Sequence, residues 1–396
     1  MKRRRRWNRR DRHGELKTPR VLIVAPSLDI VGGQSVQAAC LLKRLRTEPS
    51  VKVGFLPHNP RLPMPLRLLQ KIKYVRTIVT SLVYVAMLLA RVWRYDVVHV
   101  FSASYFSFLL APLPAMLAAK LYGAKIVLNY HSGEAEDHLM HWQTAVPTIS
   151  LADVIAVPSA YLVDIFARFG LQARAISNIV ELDNFRFRSR RPVRPVFLTS
   201  RLLESHYNLP CVLKAFAIIQ RHHPEARLTI AGDGSRRAEI EGLAKKLELR
   251  DVVFAGCVPP GEMPMFYSEA DVLLNGSNVD NMPISIIEAF AAGLPVVTSD
   301  AGGIPYIVAH EQTGLLVRRG DHEAMARAAM RLLDDEEFAY EIASRACAAC
   351  QKYTWTEVRR DWLNLYCDLA GDRALEPQRN MVNDEAAVSE GSSFKI

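Results

Sequence analysis

Short, uninterrupted apolar runs recur along this chain, each ending in a polar or glycine-containing loop. In the first half they are Val21-Leu22-Ile23-Val24, Asp96-Val97-Val98-His99-Val100, Lys125–Tyr130 and Ala152–Ser159. Val196–Thr199, Leu228–Ala231, Val252–Phe254, Val272–Leu274 and Leu294–Thr298 repeat the pattern in the second half. Continuous rather than alternating hydrophobicity marks strands covered on both faces, as in a parallel sheet. Between the runs, apolar residues fall at helical spacing: Val36, Ala39, Leu42 and Leu45; Ile284, Ile287 and Ala291; the amphipathic Asp321–Leu333; and a last helix from Tyr353 through Val358, Trp362, Leu365 and Tyr366. Two such alternating series predict an α/β protein of two doubly wound, Rossmann-like domains facing one cleft. The stretch from Arg186 to Pro195 (RFRSRRPVRP) is basic, Pro-containing and without apolar periodicity, which places the linker there. The expected division is a basic disordered tail over 1–19, a first domain over 20–187, a second over 188–352, a terminal helix over 353–370 and a disordered tail over 371–396.

The most informative stretch runs from Asp271 to Val308. Its strand is followed by a polar loop from Asn275 to Asn281, and Pro283 suits the first turn of a helix that Gly293 ends. Gly302-Gly303 follows the next strand. Ligands of open parallel sheets bind at strand carboxyl ends, where a helix amino terminus offers free N–H groups to phosphate. Asp280 on the loop and Glu288 in the helix can both reach hydroxyls of one ligand there; taken alone, they equally describe an acidic helix start that favours the macrodipole. Gly32-Gly33, between the first strand and first helix, suits either close phosphate approach or a tight turn. It is not a G-x-G-x-x-G, and no acid-ended second strand follows, so a dinucleotide site is a weak reading.

In combination these residues resemble the family 4 retaining glycosyltransferases, whose signature is Glu, seven residues, Glu, then an Ala-Gly-x-Pro-Val-Val strand and a Gly-Gly turn. Here it stands as Asp280-x7-Glu288, Ala292-Gly293-Leu294-Pro295-Val296-Val297 and Gly302-Gly303-Ile304-Pro305. The resemblance covers Arg20 to Leu369 and implies the GT-B architecture. It implies that Asp280 contacts the donor sugar, Glu288 the ribose, and the backbone of Asn281, Met282 and Pro283 the diphosphate. It places Gly33 near the diphosphate, His131 beside the reacting sugar, and Arg201 on the leaving phosphates. Asp280 is one methylene shorter than the usual Glu, and Tyr306 replaces a frequent further Glu. Ser132 intervenes between His131 and Gly133, and the passage to Glu181 (Ser177-Asn178-Ile179-Val180-Glu181) is degraded. The Lys that usually follows Arg201 is absent, with Ser205-His206-Tyr207-Asn208 in its place. A buried structural histidine is the competing reading of His131.

Composition limits the alternatives. The chain has 396 residues, 49% hydrophobic and 23% charged, enough for two filled cores. Ten Lys or Arg against Asp11 and Glu15 give the first 20 residues +8 of the total +9, so nothing beyond the tail suggests a nucleic-acid surface. The tail itself suits nucleic acid, anionic lipid or plain solvation. Six scattered cysteines suit a reducing compartment, and Cys347-x-x-Cys350, with no second pair nearby, reads as buried small residues rather than a metal site. From Leu66 to Arg94 the chain is basic, apolar, then basic, with Arg67, Lys71, Lys73 and Arg76 before Ile78–Ala90 and Arg91 and Arg94 after it. That apolar part is shorter than the roughly 18–20 residues of a membrane span, leaving a core helix or an interfacial helix.

The expected function is retaining transfer of a hexosyl unit from a nucleotide-diphosphate sugar to a hydroxyl, with no cofactor and no metal. The basic elements suggest a cytoplasmic enzyme, peripheral on the cytoplasmic face of the inner membrane, with a glycan or lipid-linked saccharide as acceptor in surface-polysaccharide or glycolipid synthesis. The rival is a non-catalytic nucleotide-sugar or glycan-binding protein of the same fold.

Overall fold

The computed structural model describes residues 18–29, 32–60, 73–102 and 104–371. The expectations for most of the basic tail, for residues 66–72 and for residues 372–396 lie outside them.

The first domain runs β1 (Arg20–Ala25), α1 (Gly33–Arg46), β2 (Lys52–Pro57), α2 (Lys73–Arg91), β3 (Val97–Ser102), α3 (Phe106–Leu110), α4 (Pro112–Tyr122), β4 (Lys125–Tyr130), α5 (Ala135–His141), α6 (Ala145–Ile149), β5 (Val154–Val157), α7 (Ala160–Arg168) and β6 (Ala173–Ala175). Its six strands are all parallel, in the order β2-β1-β3-β4-β5-β6. The second runs β7 (Val196–Ser200), α8 (Leu209–His222), β8 (Arg227–Ala231), α9 (Arg237–Lys246), β9 (Val252–Gly256), α10 (Met263–Glu269), β10 (Val272–Asn275), α11 (Ile284–Ala291), β11 (Val296–Ser299), β12 (Leu315–Val317), α12 (His322–Asp334), α13 (Glu336–Cys350) and α14 (Trp355–Ala370). Its parallel sheet has the order β12-β11-β10-β7-β8-β9.

Both sheets are covered on both faces, which is why their central strands read as unbroken apolar runs. In the first, Leu22, Val24, Val98 and Val100 pack with α2, α4 and α7. Val21, Ile23 and Val97 pack on the other face with α1 and with Val358, Trp362, Leu365 and Tyr366 of α14. The strands that sequence patterning misses, β2, β6 and β12, are edge strands with at most one fully buried residue each, so their apolar signal is weak. The chain order reverses between β1 and β3 and between β7 and β10, and ligand crevices of such sheets open beside these points.

Two segments differ from expectation. The apolar helix is longer than Ile78–Ala90: residues Val75–Arg94, at mean hydropathy 1.7, are long and apolar enough to cross a membrane by length and composition. Its inner face is nonetheless built into the domain, with Tyr84, Leu88 and Val92 fully buried. The basic linker, expected only as a connection, is packed into the second domain. Arg190 is buried and donates to the carbonyls of Tyr267 (2.7 Å), Ala270 (2.9 Å), Ala292 (2.8 Å) and Gly293 (2.6 Å). It thus closes the carboxyl ends of α10 and α11, where a cation complements the helix dipole.

The fully buried Asp271 balances the arginines, pairing with Arg188 and, at 2.9 Å, with Arg194. Burial alone would raise its carboxyl, but hydrogen bonds from Arg194 and Arg188 outweigh that and hold it below its ordinary value. Asp271→Ala would leave Arg190 buried without a counter-charge. The expected loss is about 3–5 kcal/mol of unfolding free energy in urea titrations. Because the folded carboxyl lies below its unfolded value (about 3.9), this stabilisation is complete above that pH and is lost as pH falls through the folded value. A loss near zero, or an unchanged acid limb, would contradict this role.

Candidate active site

The carboxyl ends of the two sheets enclose a cavity of about 450 Å³. All eight residues singled out from sequence line it: Gly33 and His131 from the first domain, and Arg201, Asp280, Asn281, Met282, Pro283 and Glu288 from the second.

On the second-domain side, β7 delivers Arg201 and the β10–α11 loop delivers Asp280. Arg201 Nη2 lies 2.7 Å from Asp280 Oδ2, with both side chains 11% exposed. Arg201 Nε also donates to Asn275 Oδ1 (3.2 Å), and the guanidinium stands over the Tyr207 ring at 5.2 Å. The two residues expected to act separately on phosphate and sugar are therefore paired with each other. Asp280 Oδ1 accepts the Asn281 N–H (2.9 Å), which commits that amide, and Pro283 has no N–H. Donors for a phosphate must come instead from Met282 and the first-turn amides of α11 at Ile284 and Ser285, which also line the cavity. Gly302 and Gly303 press on the back of this loop. A Cβ on them would stand 2.1 Å from the Asp280 carbonyl oxygen and 1.9 Å from that of Asn281, so any other residue would push the loop into the cleft.

Glu288 lies one helical turn further in. Its Oε2 accepts a hydrogen bond from Tyr267 OH (2.7 Å) on α10. Burial pushes its carboxyl up to about 7, against the opposing pull of Tyr267 and Arg201. Tyr267 belongs to no motif, and only the packing of α10 against α11 reveals it. Tyr207 and Asn275 were equally invisible as partners of Arg201.

On the first-domain side, α1 begins at Gly33, and a Cβ on Gly32 or Gly33 would touch nothing within 4 Å. Gly32 is extended (φ 177°) and neither glycine lies in the left-handed region, so this pair is not required by a left-handed turn. His131 follows β4. Its ring stacks on Phe101 (5.2 Å, 15°), and its Nε2 is buried with no hydrogen-bond partner among the described residues. Burial pushes the imidazole down to about 4, so it is neutral at pH 7. The wholly buried His99 likewise leaves its Nε2 without a partner among the described residues, so what sets His131 apart is that it lines the cavity. Phe101 stacks in turn on His99 (5.1 Å), and His99 on Trp362 of α14 (4.8 Å). His99 Nδ1 and Tyr366 OH share a hydrogen bond of 2.7 Å. His206 lines the cavity where a lysine was expected, and Tyr306 instead donates to Asp164 (2.7 Å) across the domains.

A second chamber of about 520 Å³ opens from the same place, sharing Gly133, Glu134 and Val279 with the first. Tyr105, Met140, Tyr161 and Arg319 form its walls. Among the described residues, no cluster of three or more His, Cys, Asp or Glu could hold a metal ion.

Residues 182–348 match the family model described as glycosyl transferases group 1, and residues 31–184 that described as glycosyltransferase family 4. An uncharacterised glycosyltransferase of Methanocaldococcus jannaschii is 35% identical over 151 residues, 38% of each chain. The sulfoquinovosyl transferase of Arabidopsis thaliana is 27% identical over 318 residues, 73% of this chain and 61% of that one. The chain thus spans less than two thirds of the length of each of these relatives. Anabaena HepE, solved with UDP and glucose, superposes with a TM-score of 0.70 at 18% identity, covering 88% of this chain and 100% of that one. That likeness shows the GT-B fold.

The raised Glu288 carboxyl makes the stability of the unliganded protein depend on pH. Its folded value of about 7 lies above its ordinary 4.5, so its contribution is greatest below 4.5 and declines until pH passes about 7. Glu288→Gln, which can still accept from Tyr267, removes that decline. The variant should match the parent's melting temperature at low pH and exceed it by a few degrees at pH 8. A pH-independent difference would show that Glu288 ionises normally.

Proposed function

From the premise that the chain belongs to the group 1, family 4 glycosyltransferases, we propose that it moves a hexosyl unit from a nucleotide-diphosphate sugar to an acceptor hydroxyl with retention of configuration. The observation that carries this is the convergence of Glu288, Arg201 and Asp280 from one sheet with His131 and Gly33 from the other on one cavity. Its volume falls within the range of small-ligand sites.

In this proposal Glu288 accepts hydrogen bonds from the ribose hydroxyls. The diphosphate takes Arg201 from Asp280 and meets the amides at the start of α11. The Asp280 carboxylate so released turns to the sugar hydroxyls. This assigns the leaving charge to a fixed guanidinium and oriented amides, and calls for no cofactor. The acceptor hydroxyl enters from the second chamber, beside Glu134. The bond from the anomeric carbon to the diphosphate oxygen breaks while that to the acceptor oxygen forms on the same face. The hydroxyl proton passes to the departing phosphate oxygen. His131, neutral and with an unsatisfied ring nitrogen, hydrogen-bonds the sugar as charge develops.

A lipid-linked saccharide at the cytoplasmic face of a membrane is the acceptor class we propose, as in surface-polysaccharide assembly. Its support is electrostatic. Residues 51–95 carry eight Lys or Arg and no Asp or Glu, and each cation near an anionic leaflet contributes about 1 kcal/mol.

A panel of nucleotide sugars, read first by thermal stabilisation and then by transfer or hydrolysis, tests the proposal. One donor should stabilise the protein and turn over; binding with neither transfer nor hydrolysis would leave a sugar-binding protein of this fold. Arg201→Lys should keep the charge but lose the planar fork, lowering turnover by about tenfold or more. Unchanged kinetics would count against its role. His131→Ala should depress kcat far more than donor affinity, because its contact matters in the transition state. Weaker binding at normal kcat would make it a ground-state ligand only.

A further inference from the structure

Helices α2 and α4 lie on the same face of the first sheet, away from α14. Tyr84 OH on α2 donates to the Ala111 carbonyl just before α4 (2.8 Å), and Tyr122 OH on α4 donates to the Leu89 carbonyl on α2 (2.9 Å), so the two are fastened side by side. Surface helices ordinarily turn polar residues outward. Here the outward positions are apolar: Ile78, Leu82 and Trp93 on and after α2, and Leu117 and Leu121 on α4, are each between 52 and 69% exposed. Val85, Leu89 and Tyr122 are exposed beside them. The residues of α2 that serve the core, Tyr84, Leu88 and Val92, form the opposite stripe, so both faces of this helix are apolar.

The rim is cationic. Arg76, Arg91 and Arg94 are exposed and form no ion pair among the described residues, and Arg94 lies over the Trp93 ring at 4.9 Å. Lys120 on α4 is held only loosely, 3.9 Å from Asp153. Neither helix contains an acidic residue. A plate of aliphatic side chains with an aromatic residue at its end and arginines around it matches the layered chemistry of a bilayer surface. Acyl chains meet leucine and isoleucine, the headgroup boundary meets tryptophan, and anionic phosphates meet arginine.

We propose that the plate formed by α2 and α4 is the membrane-docking face of this protein, its leucines entering the acyl boundary of an anionic leaflet. This rests on the membrane-linked acceptor proposed above and specifies how the protein would reach it. The helix does not cross the bilayer in this arrangement, since its inner stripe remains in the domain core. A second copy of the chain would instead need to bring two arginine rims together, which like charge opposes.

The test is flotation of the full chain with vesicles of phosphatidylcholine alone or mixed equally with phosphatidylglycerol, comparing the parent with Leu82→Gln/Leu121→Gln. Both side chains are solvent-exposed, so the double variant should keep the parent's melting temperature and its turnover of a soluble donor. The parent should float with the anionic vesicles, and the double variant should partition roughly tenfold or more weakly. Equal flotation of the two proteins would overturn the proposal, as would a parent indifferent to anionic lipid. A parent that dimerises without lipid, and that the same substitutions make monomeric, would assign the plate to a subunit interface. If flotation follows the proposal while no lipid-linked saccharide is used as acceptor, the docking face stands and the acceptor assignment fails.

Discussion

The ion pair of Arg201 and Asp280 governs the site, because it decides which charges a ligand would find. The two groups come from different strands, β7 and the end of β10, and meet at 2.7 Å beside Tyr207 and Asn275. Largely withdrawn from water, the pair is stronger than an exposed one, and any anionic ligand would have to compete with a carboxylate for the guanidinium. No lysine is among the described residues that line the cavity, and His131 is held neutral by burial. The remaining positive potential comes from oriented amides at the start of α11, so the backbone carries much of what side chains carry in a lysine-bearing site.

The position of that backbone is overdetermined. Gly302 and Gly303 sit against the carbonyls of Asp280 and Asn281 with no room for a Cβ, and the Gly303 N–H donates to the Asp280 carbonyl at 3.0 Å. Arg190 closes the far ends of α10 and α11, the helices that bring Tyr267 to Glu288. The linker is therefore part of the support for the second-domain wall of the cleft. On the other side, the rings of His131, Phe101, His99 and Trp362 form a column reaching from the cavity to the terminal helix. That helix follows the second domain in the chain yet packs on the first, so it ties the two walls of the site together.

The same economy of surfaces explains α2. A helix buried on one stripe and apolar on the other would be an aggregation liability on a freely soluble protein. Its cationic rim and the matching outward face of α4 make it intelligible as a surface meant to be covered.

Much was determined by sequence alone. Nine of the twelve described strands appear as apolar runs, most of them because parallel sheets bury both faces, and the loops and helices after them hold every residue expected at the site. Hydrophobic runs report how deeply a segment is buried, however, and not what it meets. Edge strands β2, β6 and β12 escaped because few of their residues are buried. The packing of Arg186–Pro195 was not legible, because a run of arginines and prolines does not show that buried carbonyls and Asp271 receive its side chains. Only the tertiary structure decided that Tyr267 faces Glu288, that Arg201 holds Asp280, and that the His131 ring rests on Phe101 with a nitrogen left unsatisfied. Each of these joins residues from separate elements, and their distance is set by how strands and helices stack rather than by any spacing along the chain.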